Sequence, residues 1–139
     1  MATEGHERIA SCGCGGFTAT VRGEPADVYV CSCLVCQRKS GSAFTYSALF
    51  SEAAVTLAGE RRSWRHSGDS GRWTETQFCP TCGVTVCFRS EGFAGLIGVS
   101  IGCFSDPDFS VPSKIYWSSR RHRWLALPEG IEANETQPG

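Results

Sequence analysis

Seven of the nine cysteines fall into three clusters: Cys12 and Cys14 in "SCGCGG", Cys31, Cys33 and Cys36 in "VCSCLVCQRKSG", and Cys79 and Cys82 in "FCPTCG". Thiolates at these spacings are suited to gripping a metal ion. In an extended chain Cys12 and Cys14 point to the same face and act as a pincer. Cys79-x-x-Cys82 reads as a zinc knuckle, in which the following Gly83 lets the backbone turn so that its amides face the sulfurs. Pincer and knuckle together supply four thiolates, a closed tetrahedral site. The middle run supplies three, and three protein ligands with an open fourth position is the arrangement of a reactive zinc. A second partition also fits the spacing. Cys12, Cys14, Cys31 and Cys33 would form one site, leaving Cys36, Cys79, Cys82 and Cys87 for the other.

The remaining chemistry-bearing residues are less organised. Cys87 in "VTVCF" and Cys103 in "SIGCF" lie between apolar neighbours and read as small core hydrophobes. His6, His66 and His122 have no ligand spacing to one another and read as surface or internally satisfied side chains. Asp106 and Asp108 in "SDPDF" read as turn residues. The basic segment "SSRRHRW" reads as a solvated turn leading to a core-anchoring Trp124. Arg38 and Lys39, directly after the middle cysteines, admit two readings: a solvated surface pair, or an anion clamp for the carboxylates of a substrate. No phosphate-binding glycine loop, nucleophile elbow or paired-carboxylate signature is present.

The elements that must hold these clusters are short. "FTATV" and "DVYV" flank "RGEPA" and predict a hairpin. "SAFTYSALF" alternates, placing Phe44, Tyr46, Ala48 and Phe50 on one face. "RRSWRH" and "RWTETQF" flank "SGDSG" and predict a second hairpin. "TVCF", "GLIGVSIGCF" and "SKIYW" read as further strands. The one helix expected is a short turn over Leu34 to Ser40, stopped by Gly41. The expectation is an all-β domain over residues 9–128, with loose tails at 1–8 and 129–139.

The chain has 139 residues, 41% of them apolar and 19% charged, with a formal charge of −1. This is a globular composition long enough for one real core. The near-neutral charge argues against nucleic acid or an anionic membrane as partner. Seven thiolates with two zinc ions would take the charge to roughly −4, which reinforces the point. No apolar run approaches the roughly 20 residues a spanning helix needs. "MATEGHERIA" lacks the apolar core of a signal peptide, so a reducing, cytoplasmic setting is expected and a disulfide framework is not.

"SCGCG", "CSCLVCQRKSGSAF", "FCPTCG" and the late "IYWSSRRHRWLAL" resemble, in that order, the glutathione-dependent formaldehyde-activating enzyme family, whose domain also occurs in centromere protein V. The similarity runs from about Cys12 to Leu127. It implies a tent-like all-β zinc fold with two metals per chain. By motif, Cys12, Cys14, Cys79 and Cys82 match the structural zinc, and Cys31, Cys33 and Cys36 the catalytic one. The resemblance implies a carbon–sulfur lyase that condenses formaldehyde with glutathione to S-hydroxymethylglutathione and runs the reverse. Arg38 and Lys39 would then meet glutathione carboxylates. Many relatives carry histidine before the first middle cysteine, where this chain has Val30.

A zinc held by three thiolates carries a net negative charge. It is better suited to deprotonating an incoming thiol than to polarising a carbonyl. Its weaker site would lose metal before the four-thiolate one. Two readings of a different class stand beside the enzyme: a non-catalytic zinc module binding a protein partner, and a thiol redox sensor releasing zinc on oxidation. A homo-oligomer is compatible with the sequence.

Overall fold

The computed structural model describes residues 6–68 and 71–137. Eleven strands among these residues form two sheets. The small sheet is antiparallel and contains β1 (Glu7–Ser11), β2 (Thr18–Arg22) and β5 (Val55–Ala58), with β2 in the centre. The large sheet contains β3 (Asp27–Cys31), β4 (Thr45–Ser51), β6 (Arg62–Ser67), β7 (Trp73–Phe78), β8 (Thr85–Ser90), β9 (Leu96–Ser100), β10 (Lys114–Tyr116) and β11 (Glu132–Ala133). Its order is β11-β10-β3-β4-β9-β8-β7-β6. All its pairings are antiparallel except those β10 makes with β3 and β11, which are parallel. The single α-helix among the described residues, α1, is Leu34–Ser40. The fold is all-β, as the turn-rich sequence predicts.

Alternation along the strands divides the core in two. Ala10, Phe17, Ala19 and Val21 of the small sheet region meet Val28, Ala48, Phe50, Val86 and Val99 of the large one. The opposite side of the large sheet carries Tyr29, Cys31, Leu49, Phe88 and Tyr116, with Phe93 and Trp117 packed against them. β4 therefore buries both of its faces, Tyr46, Ala48 and Phe50 to one side and Leu49 to the other. At Gly98, on β9, an added Cβ would come within 2.1 Å of Phe88 Cζ, so only glycine lets that ring lie flat on the sheet.

The sequence-based elements hold for α1, β4, β8, β9, β10 and the β6–β7 hairpin, whose turn residues Asp69 and Ser70 lie outside the described residues. The first expected hairpin does not form. β2 and β3 belong to different sheets. At Gly23 (φ +76°) the chain turns out of the small sheet, with its N–H donating to His6 O at 2.8 Å. Ala26 N–H then donates to Leu49 O at 2.7 Å, which delivers β3 to β4. The segments expected to be tails are partly paired. Glu7 and Arg8 are in register with Arg22 and Val21, and Glu132 and Ala133 with Lys114 and Ile115. Residues 1–5 and 138–139 of those segments lie outside the described residues. Trp124 does not anchor the core; it is 71% exposed.

Candidate metal centre and its cavity

The connection from β1 to β2 carries Cys12 and Cys14, and the connection from β7 to β8 carries Cys79 and Cys82. Cys12 N–H donates to Phe17 O at 3.0 Å and closes the first loop. In the second, Cys79 N–H donates to Val84 O at 3.0 Å and Gly83 N–H to Cys79 O at 2.8 Å. A register shift at Gln77/Phe78 bends β7 just before the knuckle. The four sulfurs lie within 4.8 Å of one another. Cys12 to Cys14 is 3.8 Å and Cys14 to Cys79 is 3.7 Å. A tetrahedron with metal–sulfur bonds of about 2.3 Å has edges of about 3.8 Å, so these residues fit zinc. Backbone amides support the sulfurs: Phe17 N–H reaches Cys12 Sγ at 3.2 Å and Thr81 N–H reaches Cys79 Sγ at 3.4 Å.

The second group is built locally. Cys31 ends β3, Cys33 caps α1, and Cys36 lies in its first turn. Their sulfurs also lie within 4.8 Å of one another, with no fourth histidine, aspartate or glutamate donor in the group among the described residues. The partition is thus four and three; the alternative grouping of Cys12 and Cys14 with Cys31 and Cys33 does not occur. Cys36 N–H donates to Cys33 Sγ at 3.3 Å. Hydrogen bonds from Cys31 and Cys36 push the Cys33 thiol down, and the same bonds push Cys31 up.

α1 is pinned by one side chain. Gln37 Nε2 donates to Ser32 O at 2.8 Å and to Arg120 O at 3.0 Å, and Gln37 Oε1 pairs with His122 Nε2 at 2.9 Å. The basic "SSRRHRW" segment is thus a brace for the helix that carries the cysteines. Gly41, in the left-handed region at φ 65°, ends the helix by donating to Gln37 O and Arg38 O.

The three sulfurs line a cavity of about 70 Å³, walled by Tyr29, Phe88, Phe93 and Trp117 and by Lys39, His66 and Arg72. Val35, Lys39 and His66 also line a larger open groove of about 900 Å³, together with Arg38, Arg62 and Trp64. Lys39 Nζ lies over the Phe88 ring, 5.2 Å from its centroid. The two cations named from the sequence therefore have different places: Lys39 faces both compartments, while Arg38 faces the groove alone. Burial, reinforced by the neighbouring Cys31 and Cys36, pushes the Tyr29 phenol well above its ordinary range, so it stays protonated. Cys87 and Cys103 are outside both sulfur groups. Burial pushes Cys87 up to about 12 and Cys103 up to about 11.

Two lining groups have no sequence signal as site residues. Arg72 directly precedes β7 in what reads as ordinary hairpin sequence, and His66 reads as a satisfied surface side chain. The one cue for His66 is its position two residues after Trp64 on the same face of β6, where the rings stack at 4.1 Å and 26°.

The family model for glutathione-dependent formaldehyde-activating enzymes matches residues 7–120. The chain belongs to this family. The match takes in every cysteine of both groups. A crystal structure of a Rhodobacter sphaeroides protein has the same fold, with a TM-score of 0.55 and 20% identity, over 71% of this chain and 91% of that one. No curated protein matches the chain. Membership brings a glutathione-related, formaldehyde-activating character, and the two sulfur groups supply places for metal ions. No helix among the described residues is long and apolar enough to cross a membrane.

Proposed function

We propose that the protein is a zinc-dependent carbon–sulfur lyase that joins formaldehyde to glutathione as S-hydroxymethylglutathione and cleaves it again. The observation that carries this reading is the pair of joined compartments. A small aromatic cavity holds three convergent sulfurs, and it shares Val35, Lys39 and His66 with a groove large enough for a tripeptide. Glutathione is a thiol with two carboxylates. Its body lies in the groove, where Arg38, Lys39 and Arg62 offer cationic partners, and its thiol enters the small cavity.

Cys31, Cys33 and Cys36 would hold the catalytic zinc, and Cys12, Cys14, Cys79 and Cys82 the structural one. When bound in the cavity, zinc supplies the Lewis acidity that lets a thiol ionise near neutral pH. The chain's own residues do the rest. Tyr29, Phe88, Phe93 and Trp117 keep bulk water from the reacting atoms. Lys39 offsets the charge of an added thiolate, and the groove fixes the sulfur so that formaldehyde meets it at close range. All nine thiols are free, which suits a reducing, cytoplasmic setting.

The test is direct. The purified protein should contain two zinc ions per chain, melt higher with glutathione, and accelerate exchange between formaldehyde and S-hydroxymethylglutathione above the spontaneous rate, followed by NMR exchange spectroscopy. Two zinc ions with neither a shift nor an acceleration would leave the non-catalytic partner-binding module in its place.

A further inference from the structure

Among the described residues only Ser32 and His66 have buried side-chain polar atoms without a hydrogen-bond partner. Both ring nitrogens of His66 are shielded from water, and neither has a hydrogen-bond partner among the described residues. An unpaired buried polar group costs free energy, so a fold retains one where something else is meant to meet it. The ring is not loose. It stacks on Trp64 at 4.1 Å, and it forms part of the wall common to the three-sulfur cavity and the groove. Nor does it join the sulfurs as a ligand, since no nitrogen completes the group at Cys31, Cys33 and Cys36 among the described residues. Burial, and then the nearby Lys39, push its pKa down, so the ring is neutral near pH 7 and keeps one N–H to donate and one lone pair to accept.

We propose that His66 is a catalytic residue that hydrogen-bonds the aldehyde oxygen and hands it a proton as the carbon–sulfur bond forms. This rests on the lyase reading above. In the forward direction the lone-pair nitrogen of His66 takes the proton of the glutathione thiol, making imidazolium, and the sulfur gives an electron pair to the formaldehyde carbon. The carbonyl π pair moves onto oxygen, which takes a proton from the imidazolium and becomes the hydroxyl. The ring returns to neutral imidazole, so thiol plus aldehyde gives the hydroxymethyl thioether with nothing left over. In reverse, neutral imidazole accepts the hydroxyl proton as the carbon–sulfur bond breaks and passes a proton to the departing thiolate. The small cavity has room for a one-carbon aldehyde beside a sulfur, and His66 forms part of its wall.

The experiment uses the zinc-loaded protein with His66→Ala and His66→Gln. Both variants should keep two zinc ions and bind glutathione within about twofold of the parent. Exchange between formaldehyde and S-hydroxymethylglutathione should slow about 100-fold in H66A. In H66Q, which restores an N–H donor without a proton relay, it should recover part of that loss. A second readout does not depend on turnover. With ¹⁵N-labelled histidine, the His66 ring signals should move again when formaldehyde is added to the glutathione-bound protein, beyond any change that glutathione alone produces. The proposal is overturned if H66A exchanges within twofold of the parent, if formaldehyde does not move the ring signals while the parent turns over, or if H66A loses zinc or glutathione binding. If the parent protein itself shows no exchange, the lyase reading fails and His66 has no reaction to serve; if the parent is active and H66A equally so, His66 alone is wrong.

Discussion

At the scale of single residues, the nine cysteines divide into three kinds by what surrounds each sulfur. Those at 12, 14, 79 and 82 meet one another from two loops, those at 31, 33 and 36 form a local cup, and those at 87 and 103 are single thiols. The kinds should respond differently to substitution. Cys33→Ser is expected to leave one zinc per chain and an unchanged far-ultraviolet spectrum, with activity down at least about 100-fold; a collapse of the fold would instead make the cup structural. Cys82→Ser should fail to fold although the residue is exposed, because structural zinc contributes on the order of 10 kcal/mol to folding. A melting curve separates the two variants. The remaining thiols should be inert near neutrality. Burial holds Cys103 near 11 and Cys87 near 12, so alkylation at pH 8 of the protein stripped of its cup zinc alone, still folded, should stop at no more than three groups, reaching nine only with chelator in denaturant. Any reaction at Cys103 should rise about tenfold per pH unit up to its raised pKa, since the thiolate is the nucleophile.

Among the elements, α1 and β9 set the shape of the cavity. Removing the three Gln37 hydrogen bonds in Gln37→Ala should cost about 2–3 kcal/mol and loosen the helix that carries Cys36. Zinc at the cup should then fall away faster in a chelator competition while the four-sulfur site holds. Gly98→Ala drives a methyl into Phe88 and should cost about 1–3 kcal/mol and narrow the cavity, read as a lower melting temperature with weakened glutathione binding. Local sequence made some of these elements legible. The cup, α1 and its Gly41 stop are written in one run of adjacent residues, and the β6–β7 turn announces itself with glycines. What could not be read is non-local. "RGEPA" looks the same whether its flanking strands pair with each other or leave for different sheets. That choice is made by His6 and Leu49, which accept from Gly23 and Ala26. Gln37, His122 and His66 acquire their roles only from neighbours far along the chain. Trp124 misleads because an aromatic after a basic turn carries no mark of which way it faces.

For the molecule as a whole, the two sulfur groups do unequal work. The four-sulfur site fastens the β1–β2 loop of the small sheet to the β7–β8 loop of the large one. The cup lies within one sheet, on the side facing away from the other. Titration with a chelator should therefore remove zinc in two steps. The first zinc should leave with circular dichroism unchanged and activity lost, and the second with cooperative unfolding; release of both in one unfolding step would contradict this division. The spacing has a consequence for the chain before it folds. Cys14 and Cys79 are 65 residues apart, whereas the whole cup is contained between Cys31 and Cys36. Closing the longer loop costs about 2 kcal/mol more chain entropy than closing the shorter. The four-sulfur site therefore cannot assemble until Cys82 has been synthesised, whereas a newly made polypeptide holds every cysteine of its working site as soon as one short peptide has emerged.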